Sequence, residues 1–104
     1  MHHEVARVFA HDHPALEGHF PGDPVVPGVV ILEEVFTGLV EVLGDIELVS
    51  FPRVKFLSPL RPGQPFTVCY TLTHPTEVSF TCSCAGRMVS QGRVEIRPRR
   101  DAEF

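Results

Sequence analysis

The chain has 104 residues, of which 43% are hydrophobic and 21% charged, and its formal net charge at pH 7 is −4. This length suits one small domain with one core, and the composition is typical of a soluble globular protein. The negative charge excludes a broad basic surface for nucleic acid or an anionic membrane. The longest apolar stretch, residues 25–32, is too short to span a membrane, and the first residues lack a secretory signal pattern, so we expect a cytoplasmic protein.

Three cysteines, Cys69, Cys82 and Cys84, cannot all pair within one chain. Residues two apart in a strand point the same way, so we expect Cys82 and Cys84 to be small core side chains rather than metal or redox groups. Residues 11–13 read His-Asp-His, but alternate loop residues without a third ligand are a weak metal signal. We therefore expect no metal site.

The order of predicted elements is a strand over residues 4–10, a proline-rich loop to residue 27, and one helix over residues 29–43 that ends before Gly44-Asp45. The remainder is predicted to form four strands and a frayed polar tail: residues 46–57 (bent at Pro52), 66–73, 78–84, 88–96, and the tail 97–104. One antiparallel sheet curled around one helix satisfies this order. Such a monomer has an open sheet edge, so we expect a dimer.

The predicted helix is apolar on nearly all sides, which is typical of a buried helix, here wrapped by the sheet. Glu34, Thr37 and Glu41 can share a polar stripe on it. Glu33 instead lies among Val29 and other apolar residues, where a carboxylate is costly unless it has a partner or a chemical task.

Three chemical groups converge in residues 17–33. His19 can act as a base near neutral pH. The Pro27-Gly28 pair at the helix start leaves backbone N–H groups, those of Gly28 and Val29, that can hold a carbonyl oxygen gaining negative charge. Desolvation favours the protonated form of Glu33, which makes it a candidate proton donor. Together these groups are the parts needed to eliminate water from a 3-hydroxyacyl thioester.

This segment resembles the signature of the hot-dog-fold 3-hydroxyacyl-[acyl carrier protein] dehydratases, the FabZ and FabA groups: His-Phe-x-Gly-x-Pro-x-x-Pro-Gly with an acidic residue fourteen positions after the histidine. Here His19-Phe20 opens the motif, Pro27-Gly28 closes it, and Glu33 occupies the acidic position. Residues 54–63 are similar to the strand and turn that follow the helix in that family, and the resemblance spans about residues 4–97. The missing N-terminal extension and the sequence of residues 79–94 look more like the short ApeI-like group of aryl polyene and related lipid pathways.

The resemblance implies an α+β hot-dog fold with five antiparallel strands around a central helix, as a single domain over residues 1–104. It implies a homodimer with two sites, in which His19 of one subunit takes the C2 proton and faces Glu33 of the other, which protonates the departing hydroxyl. The Gly28 N–H would hold the thioester oxygen. The substrate would be carried on the phosphopantetheine of acyl carrier protein, with no cofactor or metal of the enzyme's own.

Two further sets of residues have open interpretations. Apolar residues near the helix start can line an acyl tunnel or belong to the core: Phe20, Val25, Val26 and Val30. Basic residues Arg53, Lys55 and Arg61 can contact the carrier protein or form an ordinary solvated face. Two other functions are compatible with the sequence, namely acyl-thioester hydrolysis on the same fold and a non-catalytic module that binds acyl groups or carrier protein.

Overall fold

The computed structural model of the chain describes residues 2–14 and 24–99. These residues form one helix and five strands: β1 His2–Arg7, α1 Gly28–Leu43, β2 Ile46–Phe56, β3 Phe66–His74, β4 Glu77–Cys84 and β5 Arg87–Pro98. All strand pairs are antiparallel, and the order across the single sheet is β1-β3-β4-β5-β2. The predicted α+β class, with a five-stranded antiparallel sheet and one helix, is confirmed. Within the described ranges, no helix is long and apolar enough to cross a membrane.

The outermost strand boundaries differ from the sequence prediction. β1 ends at Arg7 rather than at residue 10, because its partner β3 begins at Phe66, directly opposite Arg7. Phe9 then turns into the core and stacks on Phe66, with ring centroids 5.3 Å apart. At the other end, β5 continues to Pro98, so the tail expected to fray from residue 97 is still paired there. The Arg97 guanidinium lies 2.9 Å from the Glu47 carboxylate across this ladder.

The helix packs on the curled sheet through one face, although its composition is apolar on nearly all sides. Its buried residues are Val30, Ile31, Val35, Gly38 and Leu39. The opposite side is open: Val29 is 64% and Val40 38% exposed, because a sheet of five strands covers only one side of a helix. No strand or loop among residues 2–14 and 24–99 covers this apolar face of the helix.

Two contacts fix the helix on the sheet. The Tyr70 hydroxyl, on the central strand β3, is fully buried and donates a 2.6 Å hydrogen bond to the Val35 carbonyl. Gly38 lies directly over this group, since a Cβ built at Gly38 would be 2.5 Å from the Tyr70 hydroxyl oxygen and 3.1 Å from Cγ2 of Val5.

The helix ends at Gly44, whose φ of +87° is a conformation that favours glycine, and the Gly44 N–H donates to the Val40 carbonyl.

Strand β2 is irregular around Pro52, where the sequence predicted a bend. Its pairing with β5 shifts register twice, between Leu48 and Ser50 and between Ser50 and Arg53. Each shift reverses the alternation of side chains. As a result Leu48 and Phe51 line the same cleft although they are three residues apart, and Val54, three residues further on, packs against the core.

Burial matches the prediction for two of the cysteines. Cys82 is fully buried and Cys84 is 4% exposed, both on the face of β4 that meets the core, and all three cysteines are free thiols. Desolvation raises the pKa of the Cys82 thiol to about 11, with a smaller contribution from Cys84. Burial likewise raises the pKa of the Tyr70 hydroxyl.

Gly38→Ala is expected to destabilise the chain. The added methyl group overlaps a hydroxyl that is buried and hydrogen bonded, and overpacking of this kind costs about 1–3 kcal/mol, partly offset by the better helix propensity of alanine. Denaturant unfolding should show a lower free energy of unfolding than wild type. Thr37→Ala, the exposed neighbouring position, is the control and should leave stability unchanged or slightly raised. Equal stability of the two variants would contradict the tight Gly38–Tyr70 packing.

The stability of the chain is expected to fall at alkaline pH. The unfolded chain releases the Cys82 proton near the ordinary value of 9.0, whereas the folded chain holds it to about 11. The contribution of the Cys82 thiol to the free energy of unfolding is therefore fully present below about pH 9 and is lost as the pH rises through 11. The free energy of unfolding falls by about 2.7 kcal/mol at most from this cause.

Unfolding midpoints between pH 8 and pH 11 test this expectation. Cys82→Val should flatten the decline, leaving the part that Tyr70 contributes, and Cys69→Ala, which removes a half-buried thiol on the other face of the sheet, is the control. A Cys82→Val variant with an unchanged decline would show that this thiol is not the cause.

Candidate functional site

Glu33 lies in a cleft of about 390 Å³ between the exposed side of α1 and strand β2. Its neighbours in the lining are mostly apolar: Val29, Leu32, Phe36, Thr37, Leu48 and Phe51. Val29 and Glu33 are one turn apart on the same helix face, and the Thr37 hydroxyl donates a 3.0 Å hydrogen bond to the Glu33 carbonyl. The predicted apolar surroundings of Glu33 are therefore present in the structure.

The desolvation expected for Glu33 is not found in the single chain. Its side chain is exposed, because the cleft opens to solvent on the side that the sheet does not cover. No cation lines this cleft among the described residues. A carboxylate placed this way becomes desolvated only when a substrate or another protein surface closes the cleft.

The helix start offers backbone donors beside the same cleft. Pro27 is extended, with ψ of 145°, and its carbonyl accepts hydrogen bonds from the N–H groups of Val30 and Ile31, at 3.0 and 3.2 Å. No described residue accepts a hydrogen bond from the N–H of Gly28 or Val29. These two groups point out of the positive end of the helix, where they can stabilise an oxygen that gains negative charge.

A second cleft, of about 500 Å³, lies beside Gly28. It is lined by the segment before the helix and by the end of β2 with the loop that follows: Val25, Val26, Gly28, Ile31, Phe56, Leu57, Ser58, Pro59 and Leu60. The Val26 N–H donates a 2.8 Å hydrogen bond to the Leu60 carbonyl, which holds the two walls together. A Cβ built at Gly28 would lie 2.7 Å from the Phe56 ring, so the absence of a side chain lets that ring cover the helix start.

The structure separates the predicted tunnel residues. Val25 and Val26 line the second cleft, although Val26 is only 3% exposed, whereas Val30 packs in the core and lines neither cleft. His19, the predicted base, and Phe20, a predicted tunnel residue, lie outside the described residues.

An ion-pair network of Arg7, Glu34 and Glu41 lies beside the site and was not predicted from sequence. The Arg7 side chain reaches from β1 to the helix, donating to Glu34 at 2.9 Å and also to Glu41. These hydrogen bonds raise the pKa of Arg7, and the one to Glu41 has the larger effect. The polar stripe predicted on the helix thus faces Arg7 through its two glutamates, which fixes the rotation of α1 and turns the adjacent Glu33 toward the cleft. In the sequence, the feature that could have indicated this network is Arg7, a charged residue on the inward face of β1.

Two of the three basic residues predicted to contact a carrier protein lie close together in the structure. Arg53 and Lys55 line a groove of about 290 Å³ on the outer face of the sheet, together with Arg93, which stands directly opposite Arg53. Arg93 also lies 3.6 Å from Glu77. Arg61 is in the turn after β2 and does not line this groove. The strand pairing, which the sequence alone did not specify, adds Arg93 to the set.

Comparison with known proteins identifies a family profile that matches residues 2–93, that of the ApeI-like family, described as ApeI dehydratase. Among curated relatives, the 3-hydroxyacyl-[acyl-carrier-protein] dehydratase FabZ of Aliarcobacter butzleri is 40% identical over 108 aligned positions, which cover 88% of this chain and 67% of that protein. Another FabZ, that of Syntrophobacter fumaroxidans, is 37% identical over 59 residues, and the aligned part is 48% of this chain and 40% of that relative's length.

Solved structures agree on the architecture. A chain of the dehydratase heterocomplex ApeI:P from Xenorhabdus doucetiae superposes with a TM-score of 0.81 at 23% identity, covering 91% of this chain and 86% of that one. A probable thioesterase from Bartonella henselae superposes with a TM-score of 0.73 at 18% identity, and the superposition covers 95% of this chain and 96% of the thioesterase chain. The predicted hot-dog fold is confirmed. Because dehydratases and thioesterases share this fold, the fold alone does not indicate which of the two reactions a protein catalyses.

Proposed function

This chain belongs to the ApeI-like dehydratase family, and on that premise we propose that it is a (3R)-hydroxyacyl-[acyl carrier protein] dehydratase. The reaction removes water from a 3-hydroxyacyl thioester and gives the trans-2-enoyl thioester. We place it in fatty acid, aryl polyene or related lipid synthesis. The substrate is carried on the phosphopantetheine of acyl carrier protein, and the enzyme needs no metal or other cofactor for this step.

One observation carries the proposal: Glu33 is the one carboxylate in the described lining of an apolar cleft, one turn from backbone N–H groups at a helix start that no described residue accepts. The N–H groups of Gly28 and Val29 can hold the thioester oxygen, while Val29 and Glu33 share a helix face, about 6 Å apart along the axis. The acyl chain then has apolar surface on both sides of the helix start, in the Glu33 cleft and in the cleft beside Val25 and Val26.

The chemistry assigns one task to each group. His19 removes the proton from C2, and the electron pair of the broken C–H bond forms the C2–C3 double bond. The C3–O bond breaks as Glu33 gives its proton to the leaving hydroxyl, which departs as water. During this step the thioester oxygen gains negative charge, which the N–H groups of Gly28 and Val29 stabilise. Afterwards His19 holds the extra proton and Glu33 lacks one, and exchange with solvent restores both.

The proposed enzyme is a homodimer whose interface closes the Glu33 cleft. Three observations support this arrangement. The helix face with Val29 and Val40 is exposed, Leu48 and Val49 on β2 are 41% and 45% exposed, and β2 is an edge strand that pairs only with β5. A second subunit on this side would bury apolar surface, satisfy the open edge and desolvate Glu33, which the single chain leaves in water. In this proposed dimer, as the family resemblance implies, His19 of one subunit serves the site that holds Glu33 of the other.

Carrier protein is the proposed macromolecular partner. The cluster of Arg53, Lys55 and Arg93 is a local positive surface on a chain with a net charge of −4, and it offers charge complementarity to an acidic carrier. Arg61 remains a separate candidate contact. A cytoplasmic setting suits the three free cysteines.

Glu33→Gln is expected to lower the rate of enoyl thioester formation by about 10²–10⁴-fold, because an amide cannot supply the proton for the leaving hydroxyl. The measurement follows conversion of 3-hydroxyacyl carrier proteins of several chain lengths by mass spectrometry. Glu34→Gln is the matched control: it changes the adjacent glutamate, which faces away from the cleft, and its amide oxygen can still accept the hydrogen bond from Arg7 that orients the helix, so most of the activity should remain.

The same assay separates the alternative functions. Release of free thiol without enoyl product would assign thioester hydrolysis instead. Tight binding of acyl carrier protein with no conversion, together with binding that His19→Ala leaves unchanged, would assign a non-catalytic binding module. A folded wild-type protein that converts no 3-hydroxyacyl chain length would contradict the dehydratase proposal.

Val29→Asp is expected to convert the dimer to monomers, since it places a charge in the centre of the proposed interface. An aspartate in the first helical turn suits the helix dipole, so the fold itself should survive. Val8→Asp is the matched control, because Val8 is similarly exposed, at 58%, but lies outside the cleft and the β2 edge. Sedimentation or light scattering should report a monomer only for Val29→Asp, and two variants with the same mass as wild type would exclude this interface.

A further inference from the structure

Three potential metal-ligating side chains meet on the face of the sheet that points away from the helix. In β1, Val5 packs toward the core and Arg7 reaches the helix, so the alternate residues His2 and Glu4 point outward. Cys69 lies between the buried residues Val68 and Tyr70 of β3 and points outward too. One imidazole nitrogen, one carboxylate oxygen and the thiol sulfur lie within 4.8 Å of one another.

Strand pairing determines this proximity. Glu4 stands directly opposite Cys69 in the ladder, and His2 stands opposite Thr71, one diagonal step from Cys69. Side chains placed in this way by two paired strands converge without any loop having to fold around an ion. The adjacent outward residues on β3 and β4, Thr71 and Thr81, are neutral.

Among the residues that the structure describes, these three ligand groups have no other partner. No described residue forms a hydrogen bond or an ion pair with the side chain of His2, Glu4 or Cys69. His2 and Glu4 are exposed and Cys69 is half-buried, so an ion can reach them from solvent. The cluster is on the opposite side of the sheet from Glu33, and it therefore has no part in the proposed dehydration.

We propose that His2, Glu4 and Cys69 bind one divalent transition-metal ion of the zinc type. Nitrogen, oxygen and sulfur donors together match the preferences of zinc, and three protein ligands leave a fourth tetrahedral position for water. Donor atoms of a tetrahedral zinc site are about 3.5 Å apart, so small side-chain rotations close the cluster around an ion. Bound there, the ion ties the six-residue edge strand β1 to β3.

Cobalt(II) titration of the untagged protein tests the proposal, because a thiolate bound to tetrahedral cobalt(II) gives a near-ultraviolet charge-transfer band and strong visible bands. We expect these bands to saturate at one ion per chain and to disappear on addition of zinc. Zinc should also raise the unfolding temperature of wild type and not that of Cys69→Ser, since an ion that binds the folded site shifts unfolding to higher temperature.

Variants assign the ligands. Cys69→Ser should abolish the charge-transfer band although Cys82 and Cys84 remain, and His2→Ala and Glu4→Gln should each weaken binding at least tenfold. His3→Ala is the matched control: the neighbouring histidine lies on the inward side of the same strand and should bind cobalt as wild type does. Absence of the bands, their survival in Cys69→Ser, equal losses in His2→Ala and His3→Ala, or saturation at one ion per two chains would each overturn the proposal.

Discussion

The hydrogen bond from the Tyr70 hydroxyl to the Val35 carbonyl determines how the helix sits on the sheet, and the candidate site depends on that placement. The bond forms in the centre of the core, under Gly38, where only a residue without a side chain leaves room for the tyrosine. Arg7 adds a second attachment from the edge of the sheet through Glu34 and Glu41. With both in place the helix cannot rotate, so Glu33 faces the open cleft while its neighbour Glu34 faces a cation.

This arrangement explains why two adjacent glutamates have different surroundings. Glu34 is neutralised by an arginine that lies on the same side of the helix, whereas the described lining of the Glu33 cleft contains no cation. In the proposed reaction Glu33 is the proton donor, and its cleft lacks the arginine partner that Glu34 has. The different surroundings of Glu33 and Glu34 thus follow from how the sheet holds the helix.

The sequence predicted the fold class, the helix and the order of strands, because hydrophobic periodicity and the turn residues of a short antiparallel chain leave few alternatives. It also selected Glu33 over Glu34 from the apolar residues around it. It did not predict that Arg93 lies beside Arg53, nor that Arg7 reaches Glu41, since both depend on which strands are neighbours in the sheet. It also did not show that Val29, Val40 and Glu33 are exposed in the single chain, because periodicity shows that a surface is apolar but not whether the same chain covers it.

The two register shifts in β2 have a consequence for how the shape of the Glu33 cleft can change. Because the alternation reverses twice within six residues, Leu48 and Phe51 both face the helix while the flanking parts of the strand keep their pairing with β5. Deleting one residue there would carry Phe51 to the outer face and widen the cleft by an aromatic ring, leaving the remaining four strands untouched. The width of the cleft therefore depends on a local irregularity of one edge strand, and it can change through this segment alone while helix α1 stays the same.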